Sequence, residues 1–262
     1  MASYDTIELV VRDGVARLTL NRPDAANGIN LPLARDLLDA TLAIAADPGA
    51  RVVLLTGAGK MFCGGGDLKG FAGRDDLPHH LREILSPLHA AITNLVRGDA
   101  PVVAAVQGSA AGAGMGLVGA SDLVVAGESA KFVMAYTSVG LAPDGSSSWF
   151  LPRMVGLRRA LELTLTNRVL TASDALDWGL VTKVVPDDDL ADAGGALAAQ
   201  LAAGAAPALA RAKRLLHTSL EETLETHLAR EADAISTASG TPQGIEGVAA
   251  FVEKRPPSFN PE

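Results

Sequence analysis

One cysteine in 262 residues, Cys63, leaves no partner for an intramolecular disulfide and no paired-cysteine metal site. Aromatic residues make up only 4% of the chain, too few for a large aromatic-walled pocket. Basic residues are never clustered, and the formal charge is −8, which argues against nucleic acid and anionic membrane as partners. A local basic pocket for a phosphate remains compatible with that balance. Residues 1–14 carry Asp5, Glu8, Arg12 and Asp13 and lack a long apolar core, so no secretory signal is read there and the cytoplasm is the expected compartment. The uncharged run from Ala100 to Ser121 is long enough for a membrane span, but Pro101, Gln107, Ser109 and five glycines break it. It reads instead as a buried strand entering a glycine-rich turn.

Several motifs fall short of their chemistry. Gly114-Met115-Gly116-Leu117-Val118-Gly119 fits a dinucleotide fingerprint, yet no acid follows near Met134, where a ribose partner belongs. Gly59-Lys60 suggests a phosphate loop, but Leu54 stands where its first glycine is needed and Met61 where Ser or Thr is needed. The five histidines, His79, His80, His89, His217 and His227, have no metal-ligand spacing, and solvated or capping roles are expected of them. Ser146-Ser147-Ser148 has neither a nucleophile elbow nor a neighbouring histidine in sequence. Neither a metal nor a permanently bound cofactor is expected.

What is plentiful is apolar: 48% of residues, with 27 glycines. Residues 6–11 and 15–20 are β-rich runs joined by Asp13-Gly14, a hairpin signal. Ala34, Leu37, Leu38, Leu42 and Ala45 form a helical stripe closed by Asp47-Pro48-Gly49. The runs 52–56, 102–106 and 123–126 read as buried strands of an α/β core. Residues 69–90, rich in Asp and His and weakly periodic, read as a mobile flap. After about Asp187 strand signals stop. Leu220, Leu224, Leu228 and Ile235 outline a helix, 241–253 another, and the expected division is a core over residues 1–200 and a helical region over 201–262.

Two glycine-rich turns follow two apolar strands: Phe62-Cys63-Gly64-Gly65-Gly66-Asp67-Leu68 and Gly108-Ser109-Ala110-Ala111-Gly112-Ala113-Gly114. Facing each other, and each leading into a helix, they would aim free N–H groups at a developing negative oxygen. Taken singly, either turn is explained as well by tight packing alone.

The chain resembles the crotonase (enoyl-CoA hydratase/isomerase) superfamily along its length. The resemblance is carried by Leu20-Asn21-Arg22-Pro23, the two turns, Ala130-Lys131-Phe132, Gly140-Leu141-Ala142-Pro143-Asp144-Gly145 and Phe251-Val252-Glu253-Lys254-Arg255. It implies an α/β fold with a ββα spiral core and a C-terminal helical trimerisation region, in homotrimers or hexamers made of two trimers. A coenzyme A thioester is the implied substrate, with the N–H groups of Gly66 and Ala113 as an oxyanion hole. Gly28, Gly64, Asp67, Leu68, Gly112 and Tyr136 are the implied lining of the substrate site, and Arg22, Phe251 and Lys254 match positions that contact the CoA nucleotide. The plainer reading of those last three is surface packing, and Asp67 is also read as a helix cap.

Hydratases of the superfamily use two glutamates, and at the matching positions this chain has Gly116 and Tyr136. Asp144 remains. Family members with Asp there include dienoyl-CoA isomerases and the phenylacetate-pathway isomerase that acts on a ring-epoxide CoA thioester. The latter is matched locally by Lys131-Phe132-Val133-Met134-Ala135, Trp149 and Leu151-Pro152-Arg153, whereas Ser146-Ser147-Ser148 replaces the usual Gly-Gly-Thr. The expectation is therefore an acyl-CoA isomerase that shifts a double bond, or opens a ring epoxide, with Asp144 as the single acid/base. Trp149 and Phe150 are expected to desolvate it. The alternatives are a hydratase-like lyase or other enolate chemistry on the same scaffold, and a non-catalytic CoA-binding homologue; without the family context Asp144 is an ordinary turn residue.

Overall fold

A computed structural model describes residues 4–259. The chain opens with the hairpin β1 (Ile7–Arg12) and β2 (Val15–Leu20), paired antiparallel from Ile7↔Leu20 to Arg12↔Val15. Asp13 (φ 51°) and Gly14 (φ 81°) are both left-handed, the conformation that a two-residue turn needs to follow the twist of its strands. From β2 onward the sheet is parallel: β3 (Val52–Gly57), β4 (Val102–Val106), β6 (Leu123–Gly127) and β9 (Lys183–Val185) follow in the order β1-β2-β3-β4-β6-β9. β4 is buried at all five residues, which is why Val-Val-Ala-Ala-Val shows no polar alternation.

Alternate residues of these strands feed two cores. Val53, Leu55, Ala104 and Val106 face α1 (Leu31–Ala46) and α3 (Leu77–Arg97) in the larger one. Val52, Leu54, Val103 and Ala105 face α8 (Leu190–Ala202) in the smaller one. The buried stripe of α1 is Leu33, Ala34, Leu37, Ala40, Thr41 and Ile44; Leu42, expected inside, is 52% exposed. A second sheet joins β5 (Ser109–Ala111), β7 (Lys131–Val133) and β8 (Leu170–Thr171), and it stands where the chain leaves β4 for the second glycine-rich turn. The uncharged run 100–121 is thus β4, β5 and the start of α4 (Ala113–Gly119). Among the described residues no single helix is long and apolar enough to cross a membrane.

Residues 69–90 are not a loop. The short helix α2 (Leu68–Phe71) is followed from Leu77 by the 21-residue α3, whose buried side is Ile84, Leu88, Ala91, Ile92, Leu95 and Val96. The helical period continues past residue 90, and Pro78, Pro87 and two histidines conceal it in a shorter window.

The last three helices are α9 (Ala206–Thr218), α10 (Leu224–Ser239) and α11 (Pro242–Glu253). α9 is pinned by Lys213, whose buried ammonium reaches Asp122 Oδ2 (2.9 Å) and donates to the carbonyls of Leu95 (2.7 Å) and Ala100 (3.0 Å). His217 Nε2 meets the other oxygen of Asp122 at 2.9 Å. Asp122 is thus structural, with a partner on each of its carboxylate oxygens. α10 buries no residue at all.

Candidate active site

The first glycine-rich turn is held from both sides by backbone hydrogen bonds. On one side Gly64 N–H donates to Ala26 (2.8 Å), Ile29 N–H to Gly65 (2.7 Å) and Asp67 N–H to Ile29 (2.9 Å). On the other, Cys63 N–H donates to Ser109 (3.1 Å) and Ala111 N–H to Cys63 (2.9 Å). Asn27, fully buried, fixes the approach: its amide nitrogen donates to the carbonyls of Ala58 (2.9 Å) and Met61 (2.7 Å), and its side-chain oxygen accepts from Arg22 N–H (2.8 Å). Nothing in a lone Asn-Gly dipeptide announces such a role, because the carbonyls that accept from its amide lie more than 30 residues away.

The second turn closes on the first. Gly112 (φ 50°) donates its N–H to Val133 (3.1 Å), and a side chain on Gly112 would begin 3.5 Å from Gly65 Cα. Gly65 (φ 95°) is more tightly confined, since a Cβ there would stand 3.0 Å from the Ala111 carbonyl oxygen. The left-handed φ at both positions, and the close approach at Gly65, favour glycine where the turns meet. Ala113 is the first residue of α4, so its N–H has no intrahelical acceptor. Among the described residues neither the Gly66 nor the Ala113 N–H donates to a protein acceptor.

Both amides border a cavity of about 230 Å³, whose walls are mainly Ile29, Leu68, Leu81, Ile84, Leu85, Leu88, Val139 and Leu141. Gly64, Gly66, Gly112, Ala113, Tyr136 and Asp144 line the same cavity. Asp144 is its single carboxyl group. Oδ1 of that carboxylate accepts a 2.5 Å hydrogen bond from the Tyr136 hydroxyl, while Oδ2 has no protein partner among the described residues. The Asp144 carbonyl is fixed as well, by Ser147 Oγ–H at 2.8 Å and Ser147 N–H at 3.1 Å. Burial, and then the negative charge of Asp144, raise the Tyr136 hydroxyl well above its ordinary value near 10, so it stays a neutral donor at any physiological pH. It acts as an anchor and not as a base.

Trp149 and Phe150, expected to dry the carboxylate, do not line this cavity. They lie on α5 (Ser147–Val155), stacked edge to face at 4.6 Å, and Phe150 turns to Gly119 and His217. The apolar wall comes from α3 instead. Cys63 is fully buried and its thiol is pushed up to about 11 by that burial, which removes it as a nucleophile near neutral pH.

Other expected site residues lie outside this cavity. Arg22 Nη1 donates to the Gly28 carbonyl and Nη2 pairs with Asp67 Oδ2 at 2.9 Å, so Arg22, Gly28 and Asp67 form a brace under the first turn. Asp67 also caps α2, accepting from Gly70 N–H at 3.4 Å. Phe251, on α11, is 86% exposed, and neither it nor Lys254 borders the cavity. One neighbour escaped the sequence reading: His89 on α3, whose Nε2 accepts the Gly145 N–H at 3.3 Å.

Two facing backbone turns beyond the carboxyl ends of two central parallel strands, a pair of undonated amides and one tethered carboxylate make a constellation suited to an anionic oxygen. A family model described as "Enoyl-CoA hydratase/isomerase" matches residues 11–262, and the chain belongs to that family, with the crotonase fold. It is 41% identical over 259 residues to a Rhodobacter capsulatus protein named "Probable enoyl-CoA hydratase", covering 98% of each chain. It is 38% identical to the 1,2-epoxyphenylacetyl-CoA isomerase of Escherichia coli, over 95% of this chain and 96% of that one. A 4-chlorobenzoyl coenzyme A dehalogenase of an Arthrobacter species is 36% identical, over 92% and 88%. The crystal structure of an enoyl-CoA hydratase from Polaromonas sp. JS666 aligns with a TM-score of 0.92 at 36% identity, over 97% and 99%. The chain is an enzyme of this family, and its relatives' names span three reactions.

Proposed function

We propose that the protein is an acyl-CoA isomerase that moves a carbon–carbon double bond through a thioester enolate, with Asp144 as its single acid/base. The observation that carries the reading is the cavity's chemistry: among the described residues one carboxylate oxygen has no protein partner, two N–H groups are undonated, and no second acid lines the cavity. Gly116 and Tyr136 stand where the superfamily's hydratases carry their two glutamates, so the pair of proton-transfer groups used for stereospecific water addition is missing.

The steps follow from these groups. Asp144 Oδ2 removes a proton from the carbon between the thioester carbonyl and a 3,4-double bond. The electron pair moves onto the carbonyl oxygen, which receives the Gly66 and Ala113 N–H groups. The same carboxyl then returns the proton to carbon 4, leaving the double bond at carbons 2 and 3. The apolar wall from α3 excludes water, which strengthens both hydrogen bonds to the oxyanion and withholds the nucleophile of hydration. Loss of one such donor costs roughly 3–4 kcal/mol in other enzymes, so the amides contribute on the scale of the base itself. A ring-epoxide thioester is a second acceptable substrate, because its opening also places charge on a nearby oxygen.

The proposal extends to assembly and to the CoA nucleotide. Leu216, Leu224, Leu228, Ile235, Ile245 and Val248 are exposed on α9, α10 and α11 or just beyond, which supports a homotrimer, or a hexamer of two trimers, through this region. Lys254 and Phe251, exposed at the end of α11, are proposed to meet the CoA moiety bound by a neighbouring subunit.

The test is purified enzyme assayed against 2-enoyl, 3-enoyl, ring-epoxide and 4-chlorobenzoyl CoA thioesters, wild type beside Asp144→Ala. Isomerisation of the 3-enoyl or ring-epoxide member should dominate and should fall at least about 1,000-fold in the variant, within the range general acid/base groups supply. Dominant water addition or chloride release, or an undiminished variant, rejects the reading.

A further inference from the structure

The residue after Asp144 is held from outside its own loop. Gly145 is buried, with φ 54°, and two helices close on it from three sides. From α3, His89 Nε2 accepts its N–H at 3.3 Å. From α4, Gly116 presents bare backbone to its carbonyl oxygen, so closely that a Cβ on Gly116 would collide with that oxygen. On the third side lie Ala113 and Ile92: a Cβ on Gly145 would stand 3.7 Å from Ala113 Cβ and 3.8 Å from Ile92 Cδ1. Ala113 is the residue that offers one of the two undonated amides.

We infer that His89 is a positioning residue: with Gly116 it grips Gly145 from two helices, and this grip sets the distance between the Asp144 carboxylate and the oxyanion amides. The argument is mechanical. Tyr136 and Ser147 fix the orientation of Asp144, but both belong to the same stretch of chain, Tyr136 eight residues before it and Ser147 three after. His89 lies 56 residues away, on the helix that supplies the apolar wall. It is therefore the side chain that ties the carboxylate loop to the opposite side of the cavity. An imidazole accepting through Nε2 carries its proton on Nδ1, and in that tautomer it is neutral. A charged imidazolium could not accept, so the role needs a lone pair and no proton transfer.

The inference rests on Asp144 being the acid/base, and two readouts keep the two ideas apart. The first is hydrogen exchange at the Gly145 amide, which is independent of turnover. Removing its acceptor in His89→Leu should speed exchange by about 10-fold, the upper range for one neutral hydrogen bond, and His89→Gln, whose side-chain oxygen can accept, should restore protection. The second is kinetics on 3-hexenoyl-CoA, with melting temperature as a fold control. His89→Leu should lower kcat about 10- to 100-fold with KM within about twofold, the scale expected for a misplaced catalytic group. His89→Gln should recover most of that loss without shifting the pH–rate profile.

Unchanged Gly145 exchange in His89→Leu overturns the grip, whatever Asp144 does. A His89→Gln variant as slow as His89→Leu, with an altered pH profile, replaces positioning by proton transfer and also overturns it. If Asp144→Asn keeps full activity while Gly145 exchange still responds to His89, the grip on the loop survives and the acid/base reading fails; the inferred effect on kcat then fails with it.

Discussion

The Tyr136 hydroxyl lies 2.5 Å from Asp144 Oδ1 and donates to it, so one carboxylate oxygen is tethered while the other has no protein partner among the described residues. Position 136 is where the superfamily's hydratases carry a glutamate. Here the same place supports a neighbouring acid and supplies none of its own. Tyr136→Phe should keep the fold and lower kcat about 10- to 100-fold, the cost of a hydrogen bond to a charged group. KM should change little, since the thioester does not depend on that hydroxyl for binding. Steady-state kinetics on the 3-enoyl thioester would decide it, and an unaltered kcat removes Tyr136 from the working site.

Gly116 makes a second comparison with hydratases. Restoring a glutamate there would seem to restore a missing acid, but any Cβ at 116 meets the Gly145 carbonyl oxygen. The backbone of 144–146 has closed on α4 over a position with no side chain. Gly116→Glu should therefore lose isomerase activity without gaining hydration of crotonyl-CoA. It should also destabilise the fold by about 1–3 kcal/mol, as overpacked buried sites do. Thermal melting and a hydration assay measure both effects; a stable variant that hydrates crotonyl-CoA would show that the loop yields easily.

How much of this was legible follows from the range of each interaction. The hairpin at Asp13-Gly14 and the strands 52–56, 102–106 and 123–126 are local patterns, and the sheet contains them where the pattern puts them. The two glycine-rich turns are local too, and Gly65 against Gly112 is the contact their composition implied. Asn27 and His89 were not legible, because one polar side chain in sequence carries no record of acceptors or donors tens of residues away. Trp149 was misassigned for a related reason: its neighbourhood to Asp144 in sequence is cancelled by the start of α5, which turns the ring toward Arg153, stacked at 3.8 Å. Residues 69–90 were misread because polar and proline residues interrupt, in the first half of α3, an apolar period whose second half is unbroken.

The C-terminal helices give a prediction about mass. A 16-residue helix with no buried residue, carrying Leu224, Leu228 and Ile235 more than half exposed, is poorly explained as the surface of a lone chain. Light scattering should return three or six times the chain mass. Replacing Leu224, Leu228 and Ile235 together by serine should lower that mass, and loss of activity should accompany it if Lys254 serves a neighbour's CoA. A wild-type monomer at micromolar concentration would refute the proposed assembly.

Acid should loosen the end of the chain before the rest. Arg255 donates to both carboxylate oxygens of Glu246, and Ser258 N–H donates to Oε1 at 2.9 Å. The Arg255 hydrogen bonds, aided by that of Ser258, hold the Glu246 carboxyl down at about 2 instead of its ordinary 4.5. Because the folded value is the lower one, the unfolded segment binds the proton first. The contribution to local stability is thus complete above about pH 4.5 and is lost as pH falls toward 2. Carboxyl titration by NMR should give a midpoint for Glu246 near 2 in the wild type, moving toward 4.5 in Arg255→Met. Exchange of the Ser258 amide should accelerate across the same window, and Glu246→Gln should abolish that pH dependence. A wild-type midpoint at the ordinary glutamate value would mean that the Arg255 clasp does not persist in solution.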